Sequence, residues 1–465
     1  LENATTIRSE IEKELKLGGY TFNSFGQATG LNRGIFSAML NGNPPKPISV
    51  RQMDLITKAL NYPEDWLYDL YVDECFYDGR PHWKRVKPFL IRCVEVGNLR
   101  CVEKVLSRLM EDLNHIPTIF NLAEELYEEG KLKEAIPFYE CVIENEKYQH
   151  SERLAISHYR IFSISVSGIM KINLEAALRF VPFRNRVPLD YHLDGLLKLS
   201  NLYYNLNQWK EAERYADELR SLASIVCKNK ENNNLNTERH LVVYYGQGYL
   251  IKGNALEKQE KYEEAMKYIS GYADLNWFEN LGGIGQKEVQ KFTLWANANQ
   301  LNLKILMGDT GSLPIYIQFL KDNPPEILLG LLTIVESANK HGFLIENILQ
   351  QFSRELNSFN NELSMEASYY KQSFSYHTYA DLCYQLTIYM FNNHFHEKGI
   401  YYVLKCLRKC LQINNKEKFM ICTAMFEKFR AQATKDQGSE YESIMEEVLI
   451  NANKKPEIHS NYRAF

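Results

Sequence analysis

The stretch FNLAEELYEEGKLKEAIPFYECVIENE, Phe120 to Glu146, leaves the chain little choice of local structure. Apolar positions recur at helical spacing on both sides of Gly130. Small Ala123 and Ala135 let two helices approach, Tyr127 and Tyr139 fill the groove between them, and Gly130 makes the turn. The pattern recurs. LSNLYYNLNQWKEAERYADEL, Leu199 to Leu219, puts Ser200, Tyr203, Trp209 and Ala212 in the same places. KGNALEKQEKYEEAMKYI, Lys252 to Ile269, does so with Gly253, Leu256, Tyr262 and Ala265. A weaker copy spans Ser165 to Phe180, with Leu174 and Ala177. Two later stretches, WANANQLNLKILMGDTGSLPIYIQFL and YADLCYQLTIYMFNNHFHEKGIYYVLKCL, keep hairpin spacing without the full set. KNKENNNLNTER, Lys228 to Arg239, reads as a polar loop inserted between two copies.

With Ala123, Gly130, Leu132, Ala135 and Tyr139 at its signature places, the first hairpin resembles a tetratricopeptide (TPR) repeat. The resemblance implies an all-α chain whose helix pairs stack into an α-solenoid with a concave face, built mainly from the first helix of each pair. Outward positions there would be Asn201, Tyr204 and Asn205 in one repeat, and Gln247, Leu250 and Asn254 in the next. Asn297, Gln300 and Asn302 follow on a further helix. An asparagine side chain both donates and accepts hydrogen bonds, which suits the backbone of an extended peptide. Asparagine is also a poor helix former, so its use in helix interiors has a cost. Asn201, Tyr204, Asn205, Gln247, Asn254, Asn297, Gln300 and Asn302 are therefore the candidate peptide contacts.

The first seventy residues differ. Phe22, Phe25 and Ala28 share helical spacing, Gly30 supplies a tight turn, and Leu31 can plug it. Asn32 is a good N-cap for a second helix reaching Asn41, with Phe36, Met39 and Leu40 inward and Arg33, Ser37 and Ala38 outward. NPPKP, Asn43 to Pro47, cannot be helical. Ser49 to Gln52 reads as a capping box opening another helix, and Pro63 starts one more through Trp66, Leu67 and Leu70.

The run from Phe25 to Leu60 resembles the Cro/C1-type (XRE) helix-turn-helix family, with Gly30, Leu31, Ser37, Gly42, Ala59 and Leu60 fitting its pattern. Phe25 stands in place of the usual Leu, and Ala28 lies three residues along where the family has a small residue next to it. By this resemblance Asn32, Arg33 and Ser37 are base-reading positions, Gly34 allows close approach to DNA, and Lys46 and Arg51 contact phosphate. Between Tyr20 and Leu60 the basic residues are Arg33, Lys46, Arg51 and Lys58 and the only acid is Asp54, a local charge of +3.

A helix-turn-helix joined to a TPR array resembles the RRNPP family of peptide-responsive regulators. That resemblance implies residues 1–72 as a DNA-binding domain, 73–90 as a linker with Trp83 as an anchor, and 91–465 as a peptide-binding and dimerisation domain. The implied partners are a double-stranded DNA operator, a short signalling peptide and a second copy of the chain. C-terminal helices around Tyr401 to Phe429 could hold the dimer together. Two alternatives remain: control of the array by a protein partner, and a constitutive dimeric repressor without a peptide.

Composition sets limits. The formal net charge of -4 requires any nucleic-acid contact to come from a local basic face. No run of apolar residues is long enough for a membrane span. The opening LENATTIRSE lacks the basic-then-apolar pattern of a signal peptide, and nine scattered cysteines without a CxxC pair suit a reducing compartment, so a cytoplasmic location is expected. Cys406 and Cys410 with His394 and His396 read as packing cysteines and surface histidines, and no metal or other cofactor is expected. No P-loop, GxSxG, HExxH or clustered acid pair occurs, which argues against an enzyme.

Overall fold

The computed structural model describes residues 5–77, 79–165, 170–228, 235–362 and 369–453. The fold is helical almost throughout. Among the described residues the strands are one two-residue pair, β1 (Phe76–Tyr77) and β2 (Arg80–Pro81), antiparallel with Phe76 opposite Pro81. The chain forms two compact units, Leu1–Arg239 and His240–Phe465. The first unit thus takes in the segment expected as a linker. Residues 73–90 hold the end of one helix, the β pair and the first turns of another.

The first unit opens with five short helices: α1 (Ile7–Leu17), α2 (Phe22–Thr29), α3 (Arg33–Leu40), α4 (Val50–Ala59) and α5 (Tyr68–Glu74). Their starts are written in side chains. Thr6, Thr21 and Ser49 each close a capping box with the residue three places on. Regular helix begins at Tyr68, later than Pro63 suggests, because residues 64–67 form turns. Helical hairpins follow: α6 (Trp83–Glu95) with α7 (Leu99–Leu109), α8 (Ile116–Glu128) with α9 (Leu132–Asn145), α10 (Glu152–Ser165) with α11 (Met170–Phe180), and α12 (Leu189–Asn205) with α13 (Trp209–Lys228). Tyr68 and Tyr71 of α5 set their rings 5.4 and 4.8 Å from that of Phe89 on α6, all three fully buried. Burying an aromatic side chain is worth roughly 1.5–3 kcal/mol, so this trio anchors the five helices on the first hairpin.

The second unit holds α14 (Leu241–Lys258), α15 (Tyr262–Ala273), α16 (Gly282–Leu306), α17 (Leu313–Asp322), α18 (Ile327–His341), α19 (Glu346–Gln351), α20 (Ser353–Glu362), α21 (Tyr369–Asn392), α22 (His396–Gln412), α23 (Lys416–Phe429) and α24 (Lys435–Asn453). Leu331, Ile334 and Val335 of α18 pack with Leu382 and Leu386 of α21. Val403, Leu407 and Cys410 of α22 pack with Phe426 of α23 and Ile444 of α24. Cys406 belongs to this core, its sulfur 3.9 Å from that of Cys410 and 3.3 Å from that of Cys422. His394 turns the chain outside it, and His396 lies against Phe429. Of KNKENNNLNTER, residues 229–234 lie outside the described residues, and 235–239 are not helical.

One closure recurs at the hairpin tips. Gly97, Gly130, Asn207, Glu260, His394 and Asn414 all have left-handed φ between 53° and 77°. After each, the next N–H reaches back five residues: Asn98 to Cys93, Lys131 to Leu126, Gln208 to Tyr203, Lys261 to Leu256, Phe395 to Met390 and Asn415 to Cys410, at 2.8–3.0 Å. This is the Schellman closure, which satisfies carbonyls left over at a helix end. The small residues of the hairpins behave as the spacing predicts. Ala123, Ala135, Ser200, Ala212 and Ala265 are buried, whereas Gly253 is half-buried.

His158 of α10 lies inside this array, its ring 4.2 Å from that of Phe183. Burial, with Arg179 nearby, lowers its pKa to about 4. The folded chain therefore keeps it neutral while the unfolded chain takes up a proton near the ordinary value of 6.5. Stability is lost as pH falls from about 6.5 to about 4, by at most about 3 kcal/mol. The melting temperature of His158→Phe should fall less steeply than that of the parent across this range. Parallel pH profiles would contradict the assignment.

Candidate nucleic-acid interface

The turn between α2 and α3 is built on glycine for two reasons. Gly30 has φ 69°, the left-handed position that ends α2. A Cβ on Gly26 would stand 2.8 Å from the Leu31 carbonyl oxygen, so only glycine lets the incoming chain cross α2 this closely. Gly26 follows Phe25 directly and is the small residue that the sequence reading placed at Ala28, which is exposed. The Thr29 hydroxyl donates to the Phe25 carbonyl (2.8 Å) and accepts from the Leu31 N–H (3.3 Å), tying the turn. Phe25 and Phe36 are fully buried with ring centres 5.2 Å apart, and Met39 joins them.

This core leaves one side of α3 in solvent. Asn32 caps it, its side-chain oxygen accepting from the Gly34 N–H at 2.8 Å. The amide group of Asn32 therefore remains as a donor at the helix start. Arg33, Gly34 and Ser37 are exposed. Lys46 is exposed on the loop after α3, and Arg51 in the first turn of α4. Among the described residues Arg33, Lys46, Arg51 and Lys58 join no ion pair.

The acids nearby are treated differently. Six carboxylates lie between Asp54 and Glu74, and each meets a group from another element. Arg92 of α6 donates to Asp54 (3.1 Å) and Glu64 (3.0 Å). Asn98 donates to Asp65 (3.1 Å). Lys104 and Arg100 of α7 pair with Asp69, and Arg108 pairs with Asp73 at 2.8 Å. Arg8 of α1 takes Glu74. Lys104 holds the Asp69 carboxyl below its usual range, whereas burial raises Asp54 despite Arg92. Exposed pairs contribute little energy each, about 0–1 kcal/mol. Their combined effect is on charge distribution: five of the six carboxylates are matched by cations of α1, α6 and α7, and the cations of α3, α4 and the loop between them stay open.

Arg8 was not among the sequence candidates. Its Nε donates to the Met39 carbonyl (3.0 Å) and its Nη2 to the Lys46 carbonyl (3.3 Å), while the same guanidinium pairs with Glu74. Arg85 of α6 donates to the Glu74 carbonyl at 2.7 Å. The Tyr71 hydroxyl donates to the Ile48 carbonyl (2.8 Å), and the Lys46 N–H to the Ala38 carbonyl (2.7 Å). The end of α3 and the loop carrying Lys46 are thus held by α1 and α5. The partners of Arg8 and Tyr71 lie 23–66 residues away in sequence, beyond any local pattern.

The peptide candidates divide between the two units. In the first, Asn201 and Asn205 are exposed on α12, while the Tyr204 ring packs edge-on to Trp209 at 5.3 Å. Asn201 continues a stripe of α12 that includes Asp194 and Lys198, and Lys198 pairs with Glu238. In the second, Gln247 and Asn254 are half-buried on α14, and Asn297 and Gln300 are exposed on α16. Leu250 is buried. Asn302 is not available to a ligand: it is 5% exposed, and its side-chain oxygen accepts from the Tyr316 hydroxyl. Asn299 has a similar internal role, donating to the Tyr272 hydroxyl at 2.9 Å. On the first unit, sequence reasoning missed Arg160, which pairs with Glu124 and lies over Tyr127 (4.0 Å) and Tyr191 (4.5 Å).

Among the described residues no helix is long and apolar enough to cross a membrane, and no group of three or more His, Cys, Asp or Glu side chains is placed to hold a metal. No family model matches the chain, and no curated protein matches it. A solved structure described as a circular tandem repeat protein with novel repeat topology and enhanced subunit contact surfaces aligns over 96% of this chain and 90% of its own, at 10% identity. Its TM-score is 0.17, too low to carry an argument about this chain.

Replacing Arg8 with Ala should loosen the end of α3. Backbone amide exchange at Asn41 and Lys46 should speed up by on the order of tenfold or more, with α8 and α9 unchanged, as expected for losing hydrogen bonds to a charged group. Unchanged exchange at these two amides would show that the clamp is not structural.

Proposed function

We propose that this protein is a DNA-binding regulator, with a helix-turn-helix of Cro/C1 type in α2 and α3 and a TPR-like array that receives a short peptide. The observation that carries the reading is the segregation of charge: Arg33, Lys46 and Arg51 are exposed without an ion pair among the described residues, while every carboxylate from Asp54 to Glu74 is engaged elsewhere. In this reading the start of α3 enters the major groove. Arg33 donates to a base edge, and Asn32 and Ser37 read its neighbours. Gly34 lets the backbone approach, and Lys46 and Arg51 meet phosphates on either side. One such module buries little DNA surface, so two copies acting on paired half-sites are part of the proposal.

The array's role rests on linkage. A peptide can change DNA affinity only by as much as it prefers one arrangement of the chain over another. Asn201 and Asn205 in the first unit, and Gln247, Asn254, Asn297 and Gln300 in the second, remain the proposed contacts, with Tyr204 as a packing neighbour. The chain of contacts from the α3 end through Arg8, Glu74 and Arg85 to α6 supplies a route within the first unit by which hairpin movement would reach α3.

Selection of duplexes from a random library tests the DNA reading. The intact chain should enrich one sequence, and Arg33→Ala should bind it more weakly by about 1–3 kcal/mol, with less loss on unrelated DNA. Equal losses on all sequences would make Arg33 a phosphate contact. Failure to enrich any sequence would end the proposal.

A further inference from the structure

A cleft of about 560 Å³ lies between α4 and α6 in the first unit. Its apolar lining is Val50 and Leu55 from α4 and Pro88 and Ile91 from α6. The acids that line it are already engaged: Asp54 with Arg92, and Glu95 with Lys131. Lys87 on its rim pairs with Glu125. Arg51 and Lys58 line the same cleft and join no ion pair among the described residues. They stand seven residues apart on one helix, about 10 Å along its axis.

From this arrangement we infer a second docking site, for an acidic amphipathic helix of a partner protein. Two uncompensated cations two turns apart call for two carboxylates at the same spacing, which a small monocarboxylate cannot supply. The apolar floor between two helices calls for an apolar stripe from a third. Rim charges would steer the encounter, and the floor would supply most of the affinity. The occupant would cover Arg51, which the proposed DNA reading uses for phosphate. Peptide and DNA would then exclude one another, and this consequence alone rests on that reading.

The probe is a stapled helical peptide with two glutamates seven residues apart beside a leucine stripe, labelled for fluorescence anisotropy and added to the full chain. It should bind saturably. Arg51→Glu with Lys58→Glu should weaken it at least about tenfold, and a lysine-for-glutamate version of the peptide should recover affinity on that double variant. No saturable binding, or binding indifferent to the charge reversal, overturns the site. Decanoate saturating the cleft where the peptide fails overturns the occupant. In a separate arm the glutamate peptide should displace the selected duplex from the parent chain, and DNA binding unaffected by saturating peptide overturns the exclusion. A chain that selects no duplex removes the DNA reading and leaves the anisotropy arm to decide the cleft.

Discussion

Six carboxylates between Asp54 and Glu74 meet side chains that lie outside their own segment, and the setting of the N-terminal helices depends on those meetings. Apolar burial provides the adhesion, through Tyr68 and Tyr71 against Phe89. Apolar contact alone is weakly directional. The pairings of Arg92, Lys104, Arg108 and Arg8 give it a register, because each donor has to lie within reach of particular acids. Their energies are small one by one. Their arrangement decides which side of the first seventy residues is neutral and which is basic. With a net charge of -4, a cationic face depends on where the acids are matched, and here five of the six meet a cation of α1, α6 or α7, while Asp65 meets the Asn98 amide.

The hairpins solve a related problem of closure. Six of them end their first helix with one left-handed residue and one N–H reaching back five places. That closure spends a single residue on reversing the chain, so the next helix starts at once and stays antiparallel. Stacked hairpins then bury both faces of the inner helices. This explains why α14 and α16 carry almost no amphipathic pattern: Gly246 lies under Phe292, and Ala255, Ala296 and Ala298 are buried on different sides.

The hairpins were legible because alanine, glycine and tyrosine at fixed offsets have few other uses. Gly130 announced its turn, whereas Glu260 holds the same left-handed position without announcing it, since glutamate does not favour it. The exposure of Arg33 and Ser37 was legible from local periodicity around Phe36 and Met39, whereas Lys46 and Arg51 came in through the family resemblance. Gly26 was readable but overlooked in favour of Ala28. The clamp at Arg8 was not readable, because its carbonyl partners come from chain crossings rather than from a pattern. Asparagine misled in one case. Its cost in a helix pointed to a ligand, but at Asn302 the return is a buried hydrogen bond with Tyr316. The stripes Asp69 with Asp73 and Lys104 with Arg108, each four apart, were visible in sequence, but only the fold shows that they face each other.

The central claim is that the open cationic face of α3 and α4 is where nucleic acid is held. Photo-crosslinking of the chain to a bound duplex, with the attached peptides located by mass spectrometry, tests it most directly. The account predicts crosslinks between Asn32 and Arg51. Crosslinks confined to residues after His240, with none in that stretch, would contradict it.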